Sequence, residues 1–181
     1  SFDHRKAAEM IQLSRKLRFP MMAGSSLPVT WRIPEIDPPR ETPFTEGLVT
    51  FGFDRGPVEI YLFHALESLQ CLMERRRGGE TGVKSVQCLK GDAVWEAARA
   101  GRWSERLMQA ALKHCPSQNV GSVRDNVADP LVVLIEYRDG TRGTVLLLNG
   151  HVADFTAASQ TAGGTTHAGR FEVGAAPGVR H

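Results

Sequence analysis

Leu131-Val-Val-Leu-Ile-Glu-Tyr-Arg-Asp-Gly-Thr-Arg-Gly-Thr-Val-Leu-Leu-Leu-Asn149 decides the fold. Two β-rich arms flank Asp139-Gly140, a dipeptide that signals a type I′ hairpin turn because both residue types tolerate positive φ. The runs Leu131 to Ile135 and Val145 to Leu148 are apolar without alternation. A hairpin with one face in water alternates apolar and polar side chains, so both faces of this sheet are expected to be covered. The chain's own helices are one cover, and a partner subunit is the candidate for the other.

Working outward, Gly47 to Phe53, Gly82 to Leu89 and His151 to Ser159 read as further strands. Val58 to about Arg77 reads as a helix opened by Pro57. Leu62, Leu66, Leu69 and Met73 form one stripe on it, and Ile60, His64, Glu67 and Cys71 form a second on the opposite side. Its N-terminal half is apolar nearly all round, as in a helix covered on two faces. Arg75-Arg-Arg77 before Gly78-Gly79 fits a helix C-terminus, with cations at the negative dipole end. Asp92 and Ser104 each cap a shorter helix, to Ala100 and about His114, and Pro116 to Asp129 reads as a loop.

Upstream, Asp3 caps a helix to about Arg18 with the stripe Ala7, Met10, Ile11, Ser14 and Leu17. Pro20 ends it, and Met21-Met-Ala-Gly24 reads as a short buried strand. That order is the second half of a βαβ unit, so the chain is expected to begin in mid-domain. Pro28, Pro34, Pro38, Pro39 and Pro43 mark an extended crossing. The expected organisation has a remnant of a nucleotide-binding domain at 1–26, a crossing at 27–46, and an α+β domain at 47–160. A loose tail follows at 161–181. The α+β domain is expected to hold an open, largely antiparallel sheet with helices packed on one face.

With 181 residues, 22 Lys plus Arg against 20 Asp plus Glu, and 41% hydrophobic residues, the chain has material for a core and no charge excess. Neither nucleic acid nor an anionic membrane is an expected partner. Cys71, Cys88 and Cys115 are isolated, and the six histidines show no metal-ligand spacing, so neither a disulfide framework nor a metal site is expected. The setting these features suggest is reducing and cytoplasmic. No G-x-G-x-x-G, P-loop or G-x-S-x-G occurs.

His64 with Glu67 is the strongest chemical constellation. At i, i+3 the pair reads either as a general acid/base histidine with a carboxylate beside it, or as a buried histidine satisfied by its neighbour. Ser25 and Ser26 after Gly24 stand either at the carboxyl end of a strand, where α/β ligands bind, or in a turn. Arg32 in the crossing reads as an anion contact or a surface cation.

The order of these pieces resembles the Gfo/Idh/MocA (glucose–fructose oxidoreductase, inositol dehydrogenase, MocA) superfamily over roughly residues 2–160. Residues 3–24 resemble the family's last Rossmann helix and strand. Trp31-Arg-Ile-Pro34 resembles its crossing. Phe63-His-Ala-Leu-Glu67 resembles its G-x-H-x-x-D helix, with Glu67 for the acid and Leu62 or Phe63 where Gly is usual. The resemblance implies a C-terminal portion of an NAD(P)-dependent oxidoreductase (dehydrogenase) acting on a sugar- or polyol-like hydroxyl or carbonyl. It implies His64 and Glu67 as catalytic residues, Arg32 and Glu59 at the substrate, and Gly24 and Ser25 at the cofactor. Ile60 stands where the family often has an Asp. NAD or NADP is expected only for a longer parent, because the Gly-rich loop and the E-K-P lysine fall outside this sequence. A homo-oligomer through the sheet face is expected. The alternative is a non-catalytic substrate-binding or oligomerisation module derived from that family.

Overall fold

Eight consecutive residues with apolar groups on both sides cannot lie at a wet edge, and Phe44–Phe51 (β2) takes the middle of the sheet. In the computed structural model, residues 3–53 and 56–173 are described. They form helices α1 (His4–Leu17), α2 (Val58–Met73), α3 (Asp92–Arg99), α4 (Glu105–Leu112) and α5 (Val123–Asn126). The strands beside β2 are β1 (Trp31–Ile33), β3 (Val83–Lys90), β4 (Leu131–Tyr137), β5 (Arg142–Leu147), β6 (Thr156–Thr161) and β7 (Thr166–Glu172). They form one open seven-stranded sheet in the order β1-β7-β6-β2-β5-β4-β3. Only β2 and β5 run parallel; every other neighbouring pair is antiparallel.

Helices lie on both faces of this sheet, which corrects the expectation of helices on one face. Val49, Phe51, Val133, Val145 and Leu147 point to one side and pack under Ala65, Leu69 and Met73 of α2. Leu48, Val132, Leu134, Leu146 and Leu148 point to the other and pack under Trp95, Leu107, Met108 and Ala111 of α3 and α4. The unalternating runs of β4 and β5 are thus explained inside one chain, and the second cover is the short-helix pair. Ser104 opens α4 by accepting from Leu107 N–H at 3.1 Å.

Four local expectations are also corrected. The hairpin at Asp139-Gly140 is a three-residue loop. Gly140 N–H donates to Tyr137 O, Tyr137 N–H donates to Thr141 O, and only Gly140 has positive φ (85°). This is a type I turn closed by a left-handed glycine, the next commonest hairpin solution after I′. Residues from 161 are no loose tail as far as Val173. Ala162-Gly163-Gly164 repeats the same loop, with Gly164 N–H to Thr161 O and Thr161 N–H to Thr165 O, and launches β7 between β6 and β1. Residues 174–181 of the expected tail fall outside the described residues. Met21 to Ala23 forms no strand; Met22 is fully exposed. No strand of the sheet lies under α1, and none of its residues is buried. The strand expected from His151 begins only at Thr156, because Gly150 and His151 make a turn held by His151 N–H to Leu148 O.

The arginine run does more than cap a helix. Arg76 is 1% exposed. It donates from Nε to Asp139 Oδ2 at 2.7 Å, from Nη1 to Met73 O at 2.8 Å and from Nη2 to Thr81 Oγ1 at 2.8 Å. Its guanidinium lies 4.2 Å from the Tyr137 ring centroid. Burial pushes the Tyr137 hydroxyl up to about 12. Partial burial raises the Asp139 carboxyl, but hydrogen bonds from Thr141, Arg76 and Thr81 outweigh it and hold the group well below the usual range. Removing Arg76 takes the cation from beside Asp139 and the donor from Met73 O, and leaves a void against the Tyr137 ring. Arg76→Ala is expected to cost about 3–5 kcal/mol, read as a shift of the urea midpoint at neutral pH. Because the folded Asp139 pKa is depressed, its contribution is complete above the ordinary value of 3.8 and is lost as pH falls below it. The stability gap between wild type and Asp139→Asn should therefore narrow in urea titrations run at progressively lower pH.

Candidate functional site

The face of α2 turned from the sheet meets the crossing segment, and there the sequence's chemical residues converge. Ala65, Ser68, Leu69, Leu72 and Met73 are buried beneath the helix, leaving His64, Glu67 and Cys71 half-buried on its flank. Residues 24–29 run across that flank. Their anchor is a 3-10 turn at Leu27–Val29, whose Leu27 and Pro28 are buried. This places Ser25 Oγ 2.6 Å from His64 Nδ1, across 39 residues of chain. Leu27 N–H donates to the same hydroxyl at 3.0 Å. Ser68 Oγ donates to His64 O at 2.8 Å, fastening the helix turn that carries the imidazole.

Gly24 completes the contact. Its φ is +124°, and a Cβ built on it would lie 2.8 Å from Glu67 Oε2. The crossing therefore passes close against the Glu67 carboxylate, where only glycine fits without displacing it. Four residues singled out from sequence, Gly24, Ser25, His64 and Glu67, form one cluster. Neither His64 Nε2 nor the Glu67 carboxylate has a hydrogen-bond or ion-pair partner among the described residues.

Two protonation patterns satisfy the Ser25–His64 pair. With Ser25 O–H donating to Nδ1, the ring proton is on Nε2, which can give it to a carbonyl oxygen. With Nδ1–H donating to Ser25, Nε2 is a base toward a hydroxyl. A serine hydroxyl that can donate or accept lets one imidazole serve both directions of a proton transfer.

Arg32 and Glu59 stand apart from this cluster. The Arg32 guanidinium donates to Ile36 O at 3.0 Å and to Pro28 O, with Asp37 at 3.9 Å, so it ties the crossing to itself. Glu59 is exposed on the first turn of α2, where a carboxylate suits the helix dipole, and lies about 140° around the helix from His64. Behind the cluster, Arg32, Ser68, Cys71 and Phe171 border a void of about 10 Å³. That is room for one water at most, so a ligand of the cluster approaches from the solvent side.

The described residues hold no group of three or more His, Cys, Asp or Glu arranged for a metal ion, and no helix long and apolar enough to cross a membrane. Sequence reading missed two buried polar residues: Arg76, hidden in a run that a helix cap explains, and His151, which sits in an apparent strand. No family model, curated protein or solved structure matches the chain.

Gly24→Ala is expected to cost about 1–3 kcal/mol in urea denaturation, part from the positive φ and part from the Glu67 contact. Adding Glu67→Ala removes the second part alone. The double variant should then lose less than the sum of the single losses, by about 0.5 kcal/mol or more.

Proposed function

We propose that His64, oriented by Ser25 and flanked by Glu67, exchanges a proton with the hydroxyl or carbonyl of a sugar- or polyol-like compound. The chain is then the substrate-side portion of an NAD(P)-dependent oxidoreductase of the Gfo/Idh/MocA kind. The observation that carries this reading is the 2.6 Å Ser25–His64 pair, formed between the two stretches that resemble that family and leaving Nε2 unpartnered among the described residues.

Gly24 and Ser25 do not fit a dinucleotide's phosphates. The Ser25 hydroxyl is engaged by His64 and Leu27, and the Glu67 carboxylate occupies the space beside Gly24 that an anion would need. The proposal is accordingly confined to proton transfer and substrate placement by this chain's residues. His64 gives or takes the proton at Nε2. Ser25 fixes the ring through Nδ1. Glu67 offers a carboxylate acceptor to a neighbouring substrate hydroxyl.

A second reading, a non-catalytic substrate-binding or oligomerisation module of the same ancestry, is favoured by α1. Its Met10, Ile11, Leu13 and Leu17 are 41–60% exposed and offer an apolar stripe for another surface. The sheet's middle strands are covered on both faces by helices, so self-association would use α1 or the β3 edge.

Titration with myo-inositol, followed by NMR of the histidine ring protons, tests the cluster as a binding site, and turnover of a His64 variant separates catalysis from binding alone. The first reading expects a saturable shift of His64 with His114 and His167 unmoved. Where the chain is joined to a dinucleotide-binding portion, His64→Asn should lower turnover about 10²–10⁴-fold with an unchanged thermal midpoint. Full turnover in that variant would overturn the assignment.

A further inference from the structure

Tyr61 has no place in the chemistry above, yet it stands one turn before His64 on α2. Residues three apart on a helix are about 60° apart around its axis, with Cβ atoms about 5–6 Å apart. Ser68, whose hydroxyl fastens the turn that carries the imidazole, lies seven residues on from Tyr61 and so on the same line of the helix. Tyr61 and His64 are both half-buried on that flank.

The Tyr61 ring is held in place as the last of four near-parallel rings. Phe155 and Phe51 stack with centroids 5.7 Å apart and planes at 11°. Phe51 and Phe53 follow at 6.3 Å and 14°, and Phe53 and Tyr61 at 4.4 Å and 2°. Phe51 and Phe155 are buried and root the ladder in the core, whereas Phe53 and Tyr61 stay half-buried. Part of each of these two rings therefore borders an open cleft of about 540 Å³ beside the start of α2. The Tyr61 hydroxyl has no hydrogen-bond partner among the described residues. The one charged residue bordering the cleft among them is Asp154, and its carboxylate is already engaged. Its Oδ2 accepts from Ser117 N–H at 3.2 Å and from the Cys115 thiol at 3.8 Å. The cleft thus offers ordered aromatic surface, one free phenolic hydroxyl and no cation.

We propose that Tyr61 is the ring-binding platform of the His64 site and makes it prefer cyclic sugars and cyclitols over open-chain polyols, an inference that rests on the proton-exchange reading of His64. The C–H groups on one face of a six-membered sugar ring are weakly positive and suit the negative face of an aromatic ring. With the sugar ring on Tyr61, a hydroxyl or carbonyl at its margin comes within the one-turn span to His64 Nε2. The phenolic hydroxyl meets a second hydroxyl of the ring as donor or acceptor. An open-chain polyol has no preformed flat face and loses more freedom on binding, so the same surface holds it less well. Without a cation at its border, the cleft does not favour a phosphorylated sugar.

Myo-inositol and sorbitol are the probes, since both carry six hydroxyls on six carbons and only the first is a ring. NMR of the His64 and Tyr61 ring protons is followed in each titration. Myo-inositol should shift both residues saturably with one dissociation constant, and sorbitol should bind about threefold to tenfold more weakly. Tyr61→Leu should weaken myo-inositol by the same factor and abolish the preference, whereas Tyr61→Phe, which keeps the platform, should retain it. The wild-type preference needs no variant, so the test stands even where loss of the Phe53 stack loosens the Leu variant. Equal affinity for the two probes, or a preference that survives in a folded Tyr61→Leu protein, overturns this inference alone, because His64 still responds to ligand. A silent His64 overturns the proton-exchange reading and the platform with it.

Discussion

Water is excluded from both faces of the adjacent strands β2 and β5, and everything else in this molecule is arranged around that exclusion. Leu48, Val49, Phe51, Val145, Leu146 and Leu147 are each at most 7% exposed. At roughly 1.5–3 kcal/mol for each large apolar side chain withdrawn from water, two covers are needed. One is the sixteen-residue α2. The other is α3 with α4, whose shorter lengths are offset by Trp95 and Trp103, the indole of Trp103 being satisfied by Val94 O at 2.9 Å.

The position of α2 follows from this packing, and the His64 cluster follows from the position of α2. A helix that presses Ala65, Leu69 and Met73 into the sheet must turn His64 and Glu67 to its flank. The crossing segment then has one short route to β1, over that flank, and burial of Leu27 and Pro28 fixes its height. Arg76 holds the far end. By joining the α2 C-terminus to Asp139 and Thr81, it ties the helix to the β4–β5 hairpin and to the approach of β3. The chemical cluster thus sits midway along α2 and the buried arginine just past its C-terminus, and both depend on the helix's seating.

Outside this frame two surfaces stay unpartnered among the described residues. The apolar stripe of α1 covers nothing, and β3 presents an edge whose residues are largely exposed on both sides. Lys84 and Lys90 stand on that edge strand, Lys84 paired with Glu136 at 2.7 Å, and charged side chains of this kind discourage strand addition.

The amino-acid sequence by itself determined the strands of the β4–β5 hairpin, the central strand, the seat of α2 and the residue types that meet on its flank. Each of these rests on local pattern: unbroken apolar runs, a proline at a helix start, histidine and glutamate one turn apart. Where local pattern was ambiguous, the tertiary structure decided. Asp139-Gly140 suits two hairpin loops, and the ladder register with Thr141 chose the one with a single left-handed glycine. Gly163-Gly164 and the polar stretch after it carry little apolar signal. They become a turn and an inner strand only because β6 offers them an unpaired edge and Phe171 a place in the core. The burial of Arg76 and His151 was equally illegible. A buried polar side chain is admitted by partners distant in sequence, here Asp139 for the one and Asn126 for the other. The same holds for Ser25 and His64, whose residue types can be read along the chain but whose hydrogen bond exists only once α2 is packed on the sheet and the crossing is laid over it.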